Sequence, residues 1–364
     1  MTRRNLLAAI LVSLLAETSL MSTPASSDDV RQLISDARVP GLSMAIVRDD
    51  GTVEVTTAGV RNAHTGTAVD AQTVFDAASL SKPVFAYAVL RLVDAGKLSL
   101  DTPLSRHVPD YVAKDARAAG VTVRHVLSHS SGLPNWRSAE YPLKTYFPPG
   151  GRFSYSGEGF VWLQRVVEAV TGESMNAAMH RLVFDPLEMR RSSYVWQRAF
   201  ESNYADPHDA TLSPAAKKKP TSANAAATLQ TTAGDFARFL QAVLSGAGLK
   251  PETARIWLEP RVNVGRSCVQ CLAADPPETR PDVAWGLGFG LEPSSGTFFH
   301  WGDNDRGRFK AFVMGAPQRR SAIVVFTNGF NGMSIMPELV GDILPGEHPA
   351  FDWLAYPRHM SSPQ

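Results

Sequence analysis

Strand patterns stand at the two ends of this chain, and helical patterns fill the space between them. Near the front, Gly41 to Arg48 carries Leu42, Met44, Ile46 and Val47, Asp49-Asp50-Gly51 spells a hairpin turn, and Thr52 to Val60 returns. Near the back, Trp285 to Leu291, Thr297 to Trp301, Arg308 to Met314 and Ala322 to Phe326 read as four successive strands. A short helix over 28–37 precedes the first strand, and another from Gly332 to about Ile343 follows the last. An opening helix and hairpin disfavour a doubly wound parallel sheet. The pattern predicts an α/β fold of the α+β type: one antiparallel sheet assembled from both chain ends, flanked by helices, around an inserted helical region. The expected division is a discontinuous sheet domain, 28–99 with 281–346, a mainly helical domain, 100–280, and a C-terminal tail, 347–364.

The middle supports that division. From Ser79 to about Ala95 the residues are apolar on most sides and Gly96 closes the run, the pattern of a deeply buried helix, with Pro83 tolerated in its first turn. Phe160, Leu163, Val166, Val167 and Val170 recur at helical spacing before Gly172. Phe236, Phe239, Leu240, Val243 and Leu244 do so behind Thr232-x-x-Asp235, where Asp235 reads as a helix cap. Pro207 to Asn224 reads as an exposed loop.

Arg3 and Arg4 ahead of an apolar Leu6 to Leu15, then small polar residues up to Ala25, read as a signal peptide over 1–25, too short to span a bilayer. The chain is therefore expected to be exported to the periplasm or beyond, with no membrane span after cleavage. Thr2 to Leu7 also resembles a twin-arginine signal. With 36 Lys+Arg against 35 Asp+Glu there is no basic excess for nucleic acid, and the run Lys217 to Lys219 reads as a solvated loop. Cys268 and Cys271 lack the partners of a zinc site; they are either a local disulfide or free thiols. His125 and His129, four apart without further ligands, read as structural, so neither metal nor cofactor is expected.

The chemistry begins at Ser79-Leu80-Ser81-Lys82, which sets a hydroxyl and an amine one helical turn apart. A helix N-terminus and burial favour the alkoxide and lower the lysine pKa, giving a nucleophile and its base. With 31 serines and 9 lysines, chance alone supplies about one such match. Further signals follow in order. Pro148-Pro149-Gly150-Gly151 turns into Tyr155-Ser156-Gly157 just before a helix, and His300-Trp301-Gly302 lies on a late strand whose glycine lets a ligand approach. Trp301 is expected in the core on the strand face opposite His300. S-x-x-K, tyrosine, then a basic residue-x-Gly is the order of the serine β-lactamases and penicillin-binding proteins.

From about residue 30 to 345 the chain resembles the class C β-lactamase-like serine hydrolases, which include D,D-carboxypeptidases, D-aminopeptidases and esterases. The resemblance is carried by Val74 to Lys82, by Val123 to Pro134 (Val-Arg-His-Val-Leu-Ser-His-Ser-Ser-Gly-Leu-Pro), by Phe153 to Gly157, by Phe184 to Met189 and by His300 to Gly302. It implies a cleft between an α/β and a helical domain. There Ser79 attacks a carbonyl, Lys82 and Tyr155 shuttle its proton, and the backbone N–H groups of Ser79 and Asp303 form an oxyanion hole. His300, Gly302 and Gly157 are then substrate-binding positions. Two departures stand out: Gly157 replaces the asparagine usual in the lactamases, and His300, with a charge that depends on pH, replaces their lysine. The expected function is an exported hydrolase acting through an acyl-enzyme on D-amino-acid peptides (peptidoglycan-related ones included), β-lactams or small esters. The alternatives are a carboxylesterase with little lactamase activity and a non-catalytic penicillin-binding or sensor homologue. Arg306 and Arg308 belong equally to a substrate carboxylate or to solvent. An α/β-hydrolase is excluded by the absence of G-x-S-x-G.

Overall fold

A computed structural model describes residues 27–304 and 306–359; the expected signal segment lies outside the described residues. The strands are β1 (Gly41–Val47), β2 (Val53–Asn62), β3 (Thr67–Ala68), β4 (Phe75–Asp76), β5 (Gln230–Thr231), β6 (Val262–Gly265), β7 (Thr279–Trp285), β8 (Gly290–Glu292), β9 (Thr297–Asn304), β10 (Phe309–Ala316) and β11 (Ser321–Thr327). Nine of them form one antiparallel sheet in the order β3-β2-β1-β11-β10-β9-β8-β7-β6, and β4 pairs with β5 apart from it. The two chain ends join at β1 and β11, in register from Leu42 opposite Thr327 to Val47 opposite Ala322. Both joining strands are buried on both faces, so their sequences are mostly apolar and do not alternate between apolar and polar residues.

Alternate residues of these strands serve two cores. Val324 and Phe326 face one that holds the buried helix α2 (Ser81–Asp94), α4 (Gly157–Thr171) and α6 (Ala233–Ser245). Ile323 and Val325 face another, with α1 (Ser27–Asp36), α8 (Met336–Gly341) and α9 (Pro349–Leu354). The connecting helices α3 (Val123–Leu127), α5 (Met175–Met179) and α7 (Pro251–Trp257) lie between these elements in sequence.

The structure revises several expectations. β6 comes from the stretch expected to be helical, and α6 packs on β1 and β11, so the sheet side begins before residue 281. Trp285 to Leu291 is not one strand, because Gly286 to Gly288 turns the chain between β7 and β8, Gly288 at φ +104°. The nucleophile helix starts at Ser81 behind a 3₁₀ turn, Ala78–Leu80, and the helix expected from Gly332 opens with a 3₁₀ segment, Phe330–Ile335, before α8. The helix cap of α6 is Thr232, whose hydroxyl accepts from the Asp235 N–H; Asp235 instead accepts from the Arg191 N–H and the Ser192 hydroxyl. The tail carries α9, whose Phe351 and Trp353 are buried. Pro207 to Asn224 is irregular as expected, but it is pinned by buried His208, which bonds the Ala63 N–H and the Asn328 carbonyl.

Candidate active site

Ser79 stands at the end of a strained approach. Ala78 has φ +49°, unusual for a side chain with a Cβ, and its N–H is held by Asp76 Oδ1 at 2.8 Å. The Ser81 hydroxyl donates to the Ala78 carbonyl at 2.5 Å and accepts from the Leu229 N–H at 2.9 Å, locking the turn to the segment before α6. Within it Ala78 and Leu80 are buried, while Ser79 keeps some exposure. Its Oγ accepts from Lys82 Nζ at 3.1 Å; Nζ also donates to the Ala226 carbonyl at 2.8 Å and sits 4.7 Å above the Tyr155 ring. Lys82 is fully buried, and burial holds its amine well below the usual lysine range.

Tyr155 is fixed by its neighbours in sequence. The Ser154 N–H donates to the His129 carbonyl, the Tyr155 N–H to the Val269 carbonyl at 2.9 Å, and the Ser156 N–H to His129 Nδ1 at 3.0 Å. Ser156 also caps α4. Burial raises the Tyr155 phenol above its ordinary pKa, and the adjacent Ser79 hydroxyl opposes that shift. The loop holding Val269 is closed by a Cys268–Cys271 disulfide, which settles the alternative left open by the sequence.

β9 meets the nucleophile turn at Gly302, where a Cβ would lie 2.7 Å from the Ala77 carbonyl oxygen and 3.2 Å from the Ser79 nitrogen. Glycine is thus required by the close approach of the strand that carries Asp303. Asn304 Nδ2 ties the same strand to Asp76 and to the Ala227 carbonyl. His300 is fully buried, and desolvation, then the nearby Lys82, depress its pKa to about 3. Its charge therefore does not switch near neutral pH, contrary to the expectation. Trp301 is buried as expected, with its ring 5.0 Å from that of Tyr155. Gly157 is overlain by the Trp136 indole: a Cβ there would fall 2.8 Å from both the Asn135 carbonyl and that ring. His125 closes a capping box with Thr122. Arg306 is exposed.

Ser79, Lys82, Tyr155, His300 and Gly302 are thus neighbours in space, with Asp303 following Gly302 on β9 and Gly157 two residues after Tyr155. Sequence reading missed Lys310 and Tyr356. Lys310 Nζ lies 2.5 Å from Asp303 Oδ2 and over the rings of Phe330 and Tyr356, and the Tyr356 hydroxyl donates to the same carboxylate at 3.2 Å. A lone lysine in the otherwise apolar run Phe309 to Ala316 was its available signal.

The sequence pattern described as Beta-lactamase matches residues 27–341. The chain belongs to the beta-lactamase family. This is a family of serine hydrolases with penicillin-binding, esterase and carboxypeptidase members. Within it the chain is similar to Penicillin-binding protein 4 of Amycolatopsis lactamdurans, 28% identical across 86% of this chain and 87% of that protein. It is 33% identical to Esterase EstB of Burkholderia gladioli, across 45% of this chain and 49% of that one. Two solved structures share the fold of this beta-lactamase family chain. They are a penicillin-binding protein homologue from Pyrococcus abyssi (TM-score 0.70, 22% identity, 84% of this chain and 73% of that one) and EstCE1, a hydrolase with promiscuous acyltransferase activity (0.73, 21%, 88% and 97%).

Proposed function

We propose that this protein is an exported serine hydrolase that forms an acyl-enzyme on Ser79 and favours uncharged carboxylic esters. The observation that carries the reading is the 3.1 Å contact between Ser79 Oγ and a buried Lys82 amine whose pKa is depressed. A neutral amine there accepts the Ser79 proton as Oγ attacks the ester carbonyl. The Tyr155 phenol gives its proton to the departing alkoxide and regains one from Lys82. The N–H groups of Ser79 and Asp303 receive the oxyanion, and water then hydrolyses the acyl-serine.

The preference for esters rests on charge and shape. Of the basic residues on β9 and β10 near the serine, His300 is neutral above about pH 3 and Lys310 is engaged by Asp303. Where the resembling lactamases carry an amide side chain, Gly157 lies under Trp136, which is 43% exposed and offers an apolar wall. Export is supported by the Arg3-Arg4 leader pattern and by the Cys268–Cys271 disulfide, which suits an oxidising compartment. The test is intact-mass spectrometry and turnover with a fluorophosphonate, a penicillin and p-nitrophenyl esters, for wild type and Ser79→Ala. Ester turnover and an adduct, both lost in Ser79→Ala, are expected, with the penicillin turned over far more slowly. Equal hydrolysis by the variant overturns the assignment, and preferred penicillin turnover overturns the ester preference.

A further inference from the structure

Buried polar atoms in folded proteins are nearly always hydrogen-bonded, because no water is at hand to replace a missing partner. Among the described residues eight buried side-chain polar atoms lack a partner, and four belong to one group of touching rings: His129 Nε2, Trp285 Nε1, His300 Nε2 and the Tyr155 hydroxyl. The Trp285 ring centroid lies 5.2 Å from that of His129, 5.5 Å from His300 and 6.2 Å from Tyr155. His129 stacks on Tyr155 at 4.3 Å, and Tyr155 and His300 are 6.1 Å apart. His129, Trp285 and His300 are all fully buried.

The proton positions follow from the other nitrogen of each histidine. His129 Nδ1 accepts from the Ser156 N–H, so its hydrogen is on Nε2. His300 Nδ1 lies 2.8 Å from the Trp301 carbonyl, which only accepts, so in the neutral ring Nε2 is bare. The cluster therefore presents two N–H donors, from His129 and Trp285, one bare nitrogen on His300, and a phenol oxygen able to accept. A water molecule accepts two hydrogen bonds and donates two, which matches this set.

We infer that His129 Nε2, Trp285 Nε1, His300 Nε2 and the Tyr155 oxygen together hold one buried water molecule behind the catalytic phenol. The inference rests on the serine-hydrolase reading for its consequence, but not for the site itself. The water accepts from His129 and Trp285 and donates to His300 and to Tyr155. With its oxygen engaged from behind, the phenol directs its own hydrogen toward Ser79, and its anionic form gains a donor. His129, Trp285 and His300 are then positioning residues, acting on the reaction through Tyr155. The titratable groups facing Tyr155 are Lys82 from α2, His129 from the loop after α3, His300 from β9, Tyr356 from the C-terminal segment, and Ser79 itself.

The test has two parts. A crystal structure of the wild-type protein at about 1.5 Å or better should show one ordered water within hydrogen-bond distance of the three nitrogens and the phenol. Rings closed directly on one another, or His129 bonded directly to His300, overturns the site. Trp285→Phe keeps a ring and removes one donor. Without the water's support the phenol gives up its proton less readily, so the variant's p-nitrophenyl ester kcat should fall about tenfold with KM little changed. A loss carried by KM rather than kcat, or no loss, overturns the role given to the water. Equal ester hydrolysis by wild type and Ser79→Ala would remove the enzymatic reading, leaving the water site to stand or fall on the crystal structure.

Discussion

At Gly157 a single hydrogen occupies the place of a side chain, and its surroundings explain why. The glycine N–H donates to Asn135 Oδ1 at 2.9 Å, and a Cβ would press on the Asn135 carbonyl, a backbone atom that cannot rotate away as a side chain does. Gly157→Ala is therefore expected to cost about 1–3 kcal/mol of stability, the usual range for overpacking a filled site. Gly157→Asn should suffer the same clash and gain no penicillin turnover, because the loop after Pro134 has closed over that space. Thermal unfolding together with ester and penicillin assays checks both. A Gly157→Asn protein as stable as wild type that hydrolyses penicillin would show that the glycine is incidental.

Among the elements, the segment that presents Tyr155 depends on a loop more than a hundred residues away. Val269, inside the Cys268–Cys271 loop, accepts the Tyr155 N–H, the Cys271 N–H donates to the Ser154 hydroxyl, and Arg152 Nε reaches the Cys271 carbonyl at 3.0 Å. Opening the disulfide frees that loop while leaving Ser79 and Lys82 untouched. The double variant Cys268→Ser, Cys271→Ser is thus expected to lower ester kcat several-fold, with acylation by a fluorophosphonate slowed in parallel and most of the thermal stability kept. A variant that matches wild-type kcat would show that the loop supports the chain but not the phenol. This dependence also marks the limit of what the sequence made legible. Ser79, Lys82 and Tyr155 were readable because each sits at a fixed offset from a helix start or a turn. Val269 and Ala226 act through backbone carbonyls, which every residue carries, so no residue type announces them. Lys310 and Tyr356 reach the site only through the pairing of β9 with β10 and the return of the chain after α9.

For the whole molecule, sheet assembly from both chain ends was readable because β1 and β11 are mostly apolar runs, and buried strands need one another. Where that sheet stops was not, since β6 is four residues long and pairs with β7 through an irregular register. The finished fold then encloses groups that prefer water. Lys82, His129 and His300 are fully buried with depressed pKa values, desolvation the largest cause in each. The sign follows from proton counts. Below its ordinary pKa each group binds a proton in the unfolded chain and less of one in the folded protein, so lowering the pH favours unfolding. The effect is absent above the ordinary value, grows as pH falls from it, and levels off below the folded pKa. For His300 that window runs from 6.5 down to about 3; for Lys82 it opens at 10.5. Each unit of depression amounts to about 1.4 kcal/mol. Replacing the lysine by an uncharged side chain of similar length removes its share, at the loss of two hydrogen bonds, to Ser79 and to Ala226, worth about 1 kcal/mol each. Lys82→Met is therefore expected to be inactive yet to unfold at a higher temperature than wild type at pH 7, with the gap narrowing as the pH is raised toward 10. Calorimetry of both proteins across pH 6–10 measures it. A variant less stable than wild type at pH 7, or a gap independent of pH, would mean that the buried amine is not held neutral against its preference, and with that its role as the base for Ser79 would fail.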